Sequence, residues 1–82
     1  MEPDLTFRLA GAPLGLPLRI RRLRSAGPLR LRLRELGFRE GGLVRCVLRT
    51  ERSIVCEVGH SRYGMNREAA WDIEVSHAPG RP

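Results

Sequence analysis

The run Leu33-Arg34-Glu35-Leu36-Gly37-Phe38-Arg39-Glu40-Gly41, followed at once by Leu43-Val44-Arg45-Cys46-Val47, constrains this chain more than any other stretch. Two glycines four residues apart close a leucine-rich segment and open a β-branched one. A glycine just past a helix adopts the left-handed conformation that ends it, and a second lets the chain turn into a strand. The pattern predicts a helix stop and a strand start at one corner.

The segment before that corner reads two ways. Pro28 to Leu36 alternates apolar and charged with period two, as a strand does, yet Leu29, Leu33 and Leu36 also share one helical face. The punctuation decides it. Pro28 suits the first helical position, Gly37 the residue past the end, and Leu and Arg are good helix formers. A helix over residues 28–36 follows. Arg32 and Arg39 can then each reach Glu35, in exposed pairs of about 0.2–0.5 kcal/mol. Leu31 is left on the outer face.

Elsewhere the chain reads as short strands. Leu18-Arg19-Ile20-Arg21 alternates apolar and charged after a Gly/Pro-rich entry loop. Leu43 to Arg49 and Ile54 to Val58 flank the polar turn Thr50-Glu51-Arg52-Ser53. A turn centred on Arg52 sets Leu48 against Cys56 and Cys46 against Val58. Val44, Cys46 and Leu48 then share the inner face with Ile54, Cys56 and Val58. After the turn Gly59-His60-Ser61 come Arg62 to Met65 and Trp71 to Val75, with a helical turn at Arg67–Ala70 capped by Asn66. About five short strands and one inserted helix describe a mainly β fold, a small SH3-like barrel, which leaves little sheet edge exposed.

The chain has 82 residues, enough for one small domain. Residues 1–8 and 76–82 are expected to be flexible ends around a domain at 9–75. A core that size supports a net stability of about 3–10 kcal/mol and no large substrate pocket. The apolar run Leu9–Leu18 is broken by Gly11, Pro13, Gly15 and Pro17, too often for a membrane span. The N-terminus lacks a charged segment followed by an apolar one, so a cytoplasmic protein is expected.

The net charge is +6, and all 15 basic residues are arginine. Arginine forks match phosphate and carboxylate, while their stems can simply cover apolar neighbours. One Trp, one Tyr and two Phe are too few for a base-stacking platform. Cys46 and Cys56 lie in separate strands without a CxxC spacing, and His60 and His77 have no ligand spacing around them. The cysteines read as small core hydrophobes, with no disulfide expected in a cytosolic chain. There is no nucleophile–base pair, no paired carboxylates, and no glycine loop opening a helix. Catalytic residues, cofactors and metal ligands are therefore all read as none. Trp71 is placed at the barrel rim.

In this order and spacing the chain resembles the FeoA family of small accessory proteins of bacterial ferrous-iron uptake. The resemblance covers about residues 9–75. It rests on Leu9-Ala10, Gly15, Arg19-Ile20 and Leu23, then on Arg32 leading Leu33-Arg34-Glu35-Leu36-Gly37-Phe38-Arg39-Glu40-Gly41. Val44, Cys46 and Leu48 follow, and Tyr63-Gly64-Met65, Ala70, Ile73 and Val75 complete it. The short Thr50–Ser53 turn and Asn66, where an arginine is frequent, depart from the family pattern on surface loops.

The resemblance implies a non-enzymatic regulatory protein that docks on the cytosolic GTP-binding domain of a FeoB-type transporter, meeting the membrane only through it. Leu31, Arg34, Phe38 and Arg39, around the helix and its exit, are the candidate contact residues. An exposed barrel edge leaves room for a homodimer. Two alternatives stand beside this. One is a nucleic-acid-binding module using Arg19, Arg21, Arg22, Arg24 and Arg30 on phosphates, although no nucleic acid is expected. The other is a metal-sensing domain, which needs a ligand cluster that the sequence does not display.

Overall fold

The computed structural model describes residues 5–78. Six antiparallel strands form one sheet: β1 (Phe7–Arg8), β2 (Leu18–Leu23), β3 (Leu43–Arg49), β4 (Ser53–Val58), β5 (Ser61–Asn66) and β6 (Ile73–His77). Their order is β1-β6-β2-β3-β4-β5. The sheet curls into a roughly barrel-like shape without closing, and β1 and β5 are its edges. Helix α1 (Gly27–Leu36) follows β2, and the short α2 (Arg67–Trp71) joins β5 to β6.

The helix predicted over 28–36 forms one residue longer, with Pro28 in its second position. Its end is built as the glycine pattern requires. Gly37 has φ +109°, its N–H donates to the Arg34 carbonyl at 3.0 Å, and the Phe38 N–H reaches the Leu33 carbonyl at 2.8 Å. These two bonds satisfy carbonyls that a helix end otherwise leaves unpaired. Asn66 caps α2 as expected, accepting from the Ala69 N–H at 2.7 Å.

The core gathers Leu9, Leu18, Ile20, Phe38, Val44, Cys46, Ile54, Cys56, Ile73 and Val75, all essentially without exposure. Strand β2 keeps Leu18, Ile20 and Leu23 inward despite the extra arginine in Arg21-Arg22, because a bulge between Ile20 and Arg22 absorbs it.

Four expectations need correction. A sixth strand exists: Phe7-Arg8 pairs with Val75 and Glu74, and two residues are too few to show any periodicity. Placed in the flexible end by the sequence, they carry strand structure, as do Ser76 and His77 in β6; residues 1–4 and 79–82 of those ends lie outside the described residues. The β3–β4 register differs as well. Cys46 faces Cys56 and Leu48 faces Val55, with a bulge between them. One extra residue turns a strand's following side chains over, so Leu48 points out, 54 % exposed, while Val58 stays on the inner face as expected, half-buried against the core. Trp71 ends α2 rather than opening the last strand; it is exposed, with the Arg8 guanidinium 5.4 Å from its ring. Finally, Leu29 does not join Leu33 in the core, since only the C-terminal half of the apolar stripe on α1 reaches the sheet.

Candidate functional site

Helix α1 is held to the domain by one end. Leu33 is buried, Leu36 is half-buried, and the Gly37 turn leads into the buried Phe38. The rest of the helix faces outward: Leu29 is 41 % and Leu31 59 % exposed, and Arg30, Arg32 and Arg34 are exposed with them. Leu31, one turn from Arg34 on the side away from Leu33, forms an exposed apolar patch flanked by arginines, while Leu29 lies on the Leu33 side at the free end of the helix. Such a patch is where an interaction surface is expected.

The structure divides the four candidate contact residues. Leu31, Arg34 and Arg39 are on the surface. Phe38 is not: it is fully buried, its ring centroid 6.0 Å from that of Tyr63 in a tilted arrangement. The reason is local. The left-handed Gly37 reverses the chain and turns the next side chain into the core, so Phe38 packs beneath the helix exit instead of lying on the surface.

Arg34 makes the ion pair at this corner, 2.9 Å from Glu40, in place of the Arg32–Glu35 and Arg39–Glu35 pairs expected. The exchange follows from the turn, which brings Glu40 back beside the last helical turn. The corner itself is tight: a Cβ on Gly37 would lie 3.1 Å from Val58 Cγ1. Gly41, at φ +87°, then donates to the Ile20 carbonyl at 2.8 Å and ties the corner to β2.

The structure brings three of the five arginines proposed for phosphate contact to one cleft, and two of the five are engaged by acceptors of the fold. Arg19 donates to the Gly41 carbonyl at 2.7 Å, and Arg24 to Glu74 at 2.9 Å. Arg22 and Arg30 line an open cleft with Arg24 and Glu40, so a carboxylate shares it. Among the described residues, no three His, Cys, Asp or Glu side chains come together as a metal-binding group. No helix among them is long and apolar enough to cross a membrane.

Cys46 and Cys56 are free and buried, as expected of core cysteines, yet their sulfurs lie only 3.8 Å apart. The hydrogen bond to Cys46, together with burial, pushes the Cys56 thiol up. The same bond, aided by the Arg49 charge, holds Cys46 below its ordinary value against the effect of burial. This proximity escaped the sequence reading because it depends on the bulged register.

A family model for the FeoA domain matches residues 7–77, a stretch that takes in the glycine-bracketed corner and all six strands. The chain belongs to the FeoA family. The family is linked to ferrous-iron transport. FeoA proteins of known structure share the architecture. Iron(II) transport protein A from Clostridium thermocellum is 30 % identical with a TM-score of 0.82, over 90 % of this chain and 47 % of that one. This chain thus spans about half the length of that relative. The Stenotrophomonas maltophilia FeoA, described as a prokaryotic SH3 domain protein complexed with zinc, is 25 % identical with a TM-score of 0.76, over 85 % of this chain and 89 % of that one. A manganese-dependent transcriptional repressor has the same fold at 16 % identity and a TM-score of 0.83, over 94 % of this chain and 44 % of the repressor. Comparison with curated protein sequences returns no match.

Proposed function

We propose that this FeoA-family chain is a non-enzymatic cytosolic accessory protein of ferrous-iron uptake, docking on the GTP-binding domain of a FeoB-type transporter. The observation that supports this reading is the outward face of α1, where Leu31 is exposed with Arg30 and Arg34 on either side of it. Leu31 is the apolar anchor, and Arg34 and Arg39 flank it. Apolar contacts at the centre of such a patch supply affinity, while the surrounding charge mainly speeds encounter with an acidic partner.

The test is titration of the purified chain against the cytosolic domain of the FeoB-type transporter from its own genome. Leu31→Glu and Arg39→Glu, both at exposed positions, should weaken binding at least tenfold while leaving the fold intact. Equal binding by wild type and Leu31→Glu would remove α1 from the interface. No binding, with tight and steeply salt-dependent binding to RNA instead, would replace docking by the nucleic-acid reading. That alternative is weakened by the engagement of Arg19 and Arg24 within the fold.

A further inference from the structure

The chain has two cysteines, and the antiparallel pairing of β3 with β4 sets them directly opposite each other. Residues opposed in an antiparallel ladder have Cα atoms about 4.5–5.5 Å apart, inside the range of about 4.4–6.8 Å that a disulfide spans. The sulfurs face one another at 3.8 Å, and Cys46 Sγ also lies 3.9 Å from the Leu9 carbonyl. Closing that gap to a bond of about 2.05 Å needs only small side-chain rotations. The bulge beside Cys46 gives β3 an irregular ladder where the backbone can adjust.

We propose that Cys46 and Cys56 form an oxidisable pair, closed by hydrogen peroxide into a reversible cross-strand disulfide. Both residues have 0 % exposure, which excludes bulky disulfide reagents and favours a water-sized oxidant. Cys46 is the sulfur that attacks, because the Arg49 charge favours its thiolate. Its thiolate displaces hydroxide from peroxide, breaking the O–O bond and forming a sulfenic acid. Cys56 Sγ then attacks Cys46 Sγ; the S–O bond breaks, and the departing hydroxide leaves as water with the Cys56 proton. Altogether two thiols and one peroxide yield one disulfide and two waters.

The product staples β3 to β4 across the core, and reduction by an added thiol restores the starting pair. The full-length chain, exposed to peroxide and analysed by intact mass and by thiol labelling after denaturation, should lose about 2 Da and both free thiols. Peptide mapping should join the Cys46 and Cys56 peptides, and dithiothreitol should reverse the change. The oxidised chain should melt about 10 °C or more above the reduced one, as expected for closing a short loop. Cys56→Ala should gain about 16 Da or more at Cys46 in place of that loss, and Cys46→Ala, which lacks the attacking sulfur, should oxidise far more slowly. The wild-type measurement stands even if a variant folds poorly. Addition of oxygen to the wild type without loss of hydrogen, dimers joined by disulfide, or intact thiols under conditions that oxidise glutathione would each overturn the proposal.

Discussion

Replacing Phe38 by alanine separates a supporting residue from a contacting one. Phe38 is the largest fully buried side chain, packed against Tyr63 directly beneath the exit of α1. Truncating a buried Phe to Ala costs about 3–5 kcal/mol, through lost transfer energy and the cavity left behind. At roughly 0.05–0.15 kcal/mol per residue, a domain of this size holds only about 4–12 kcal/mol in all. The substitution therefore consumes a large share of the total. In a domain this small, each kcal/mol lowers the midpoint by about 4–8 °C, so Phe38→Ala should melt about 12–40 °C below wild type. Thermal and urea denaturation followed by circular dichroism read this directly. Phe38→Leu, which keeps most of the volume, should recover more than half of the loss. Transporter binding, measured below the variant's melting point, should be nearly normal once corrected for the folded fraction. A Phe38→Ala chain with wild-type stability and abolished binding would refute the reasoning, because it would put the ring on the surface.

Gly37→Ala should cost about 1–2 kcal/mol for the left-handed backbone, read by urea denaturation. Adding Val58→Ala should relieve only the 3.1 Å approach and not that backbone strain. Asn66→Ala should lose about 0.5–2 kcal/mol by removing the α2 cap, with faster amide exchange at Ala69 as the local readout. Leu31→Glu should leave the melting temperature within about 2–4 °C of wild type, as an exposed substitution does. The Cys56 thiol is raised in the fold, so its contribution to stability is whole below its ordinary value of 9.0 and falls away as pH rises above it. The lowered Cys46 acts in the opposite sense at lower pH, so urea titrations from about pH 7 to 10.5 should show the loss only at the alkaline end, and the Cys46→Ala/Cys56→Ala double variant should flatten the profile.

Much of the fold was legible because local chemistry and tertiary placement agree. Pro28 and Gly37 bracket a helix whichever sheet it meets, since a missing N–H and a left-handed backbone are properties of the residues themselves. Asn66 caps α2 for the same reason, through its own short polar side chain. The alternating strands β2, β3 and β4 declare their buried faces through simple period two, up to the first bulge.

Where expectation and structure part, a contact distant in sequence decides. Leu48 turns outward because the β3–β4 ladder takes in one extra residue, which no count along a single strand displays. Phe38 is buried because the Gly37 turn points it at Tyr63, 25 positions away. Strand β1 exists only because β6 returns beside it. The sequence by itself determined the helix, its stop and the family-typical corner, because backbone preference acts within a few residues. Tertiary structure alone decided which leucines of α1 stay exposed, that Arg34 pairs with Glu40, and that two buried sulfurs meet at 3.8 Å. Those outcomes depend on register and packing between segments, which individual residue preferences do not encode.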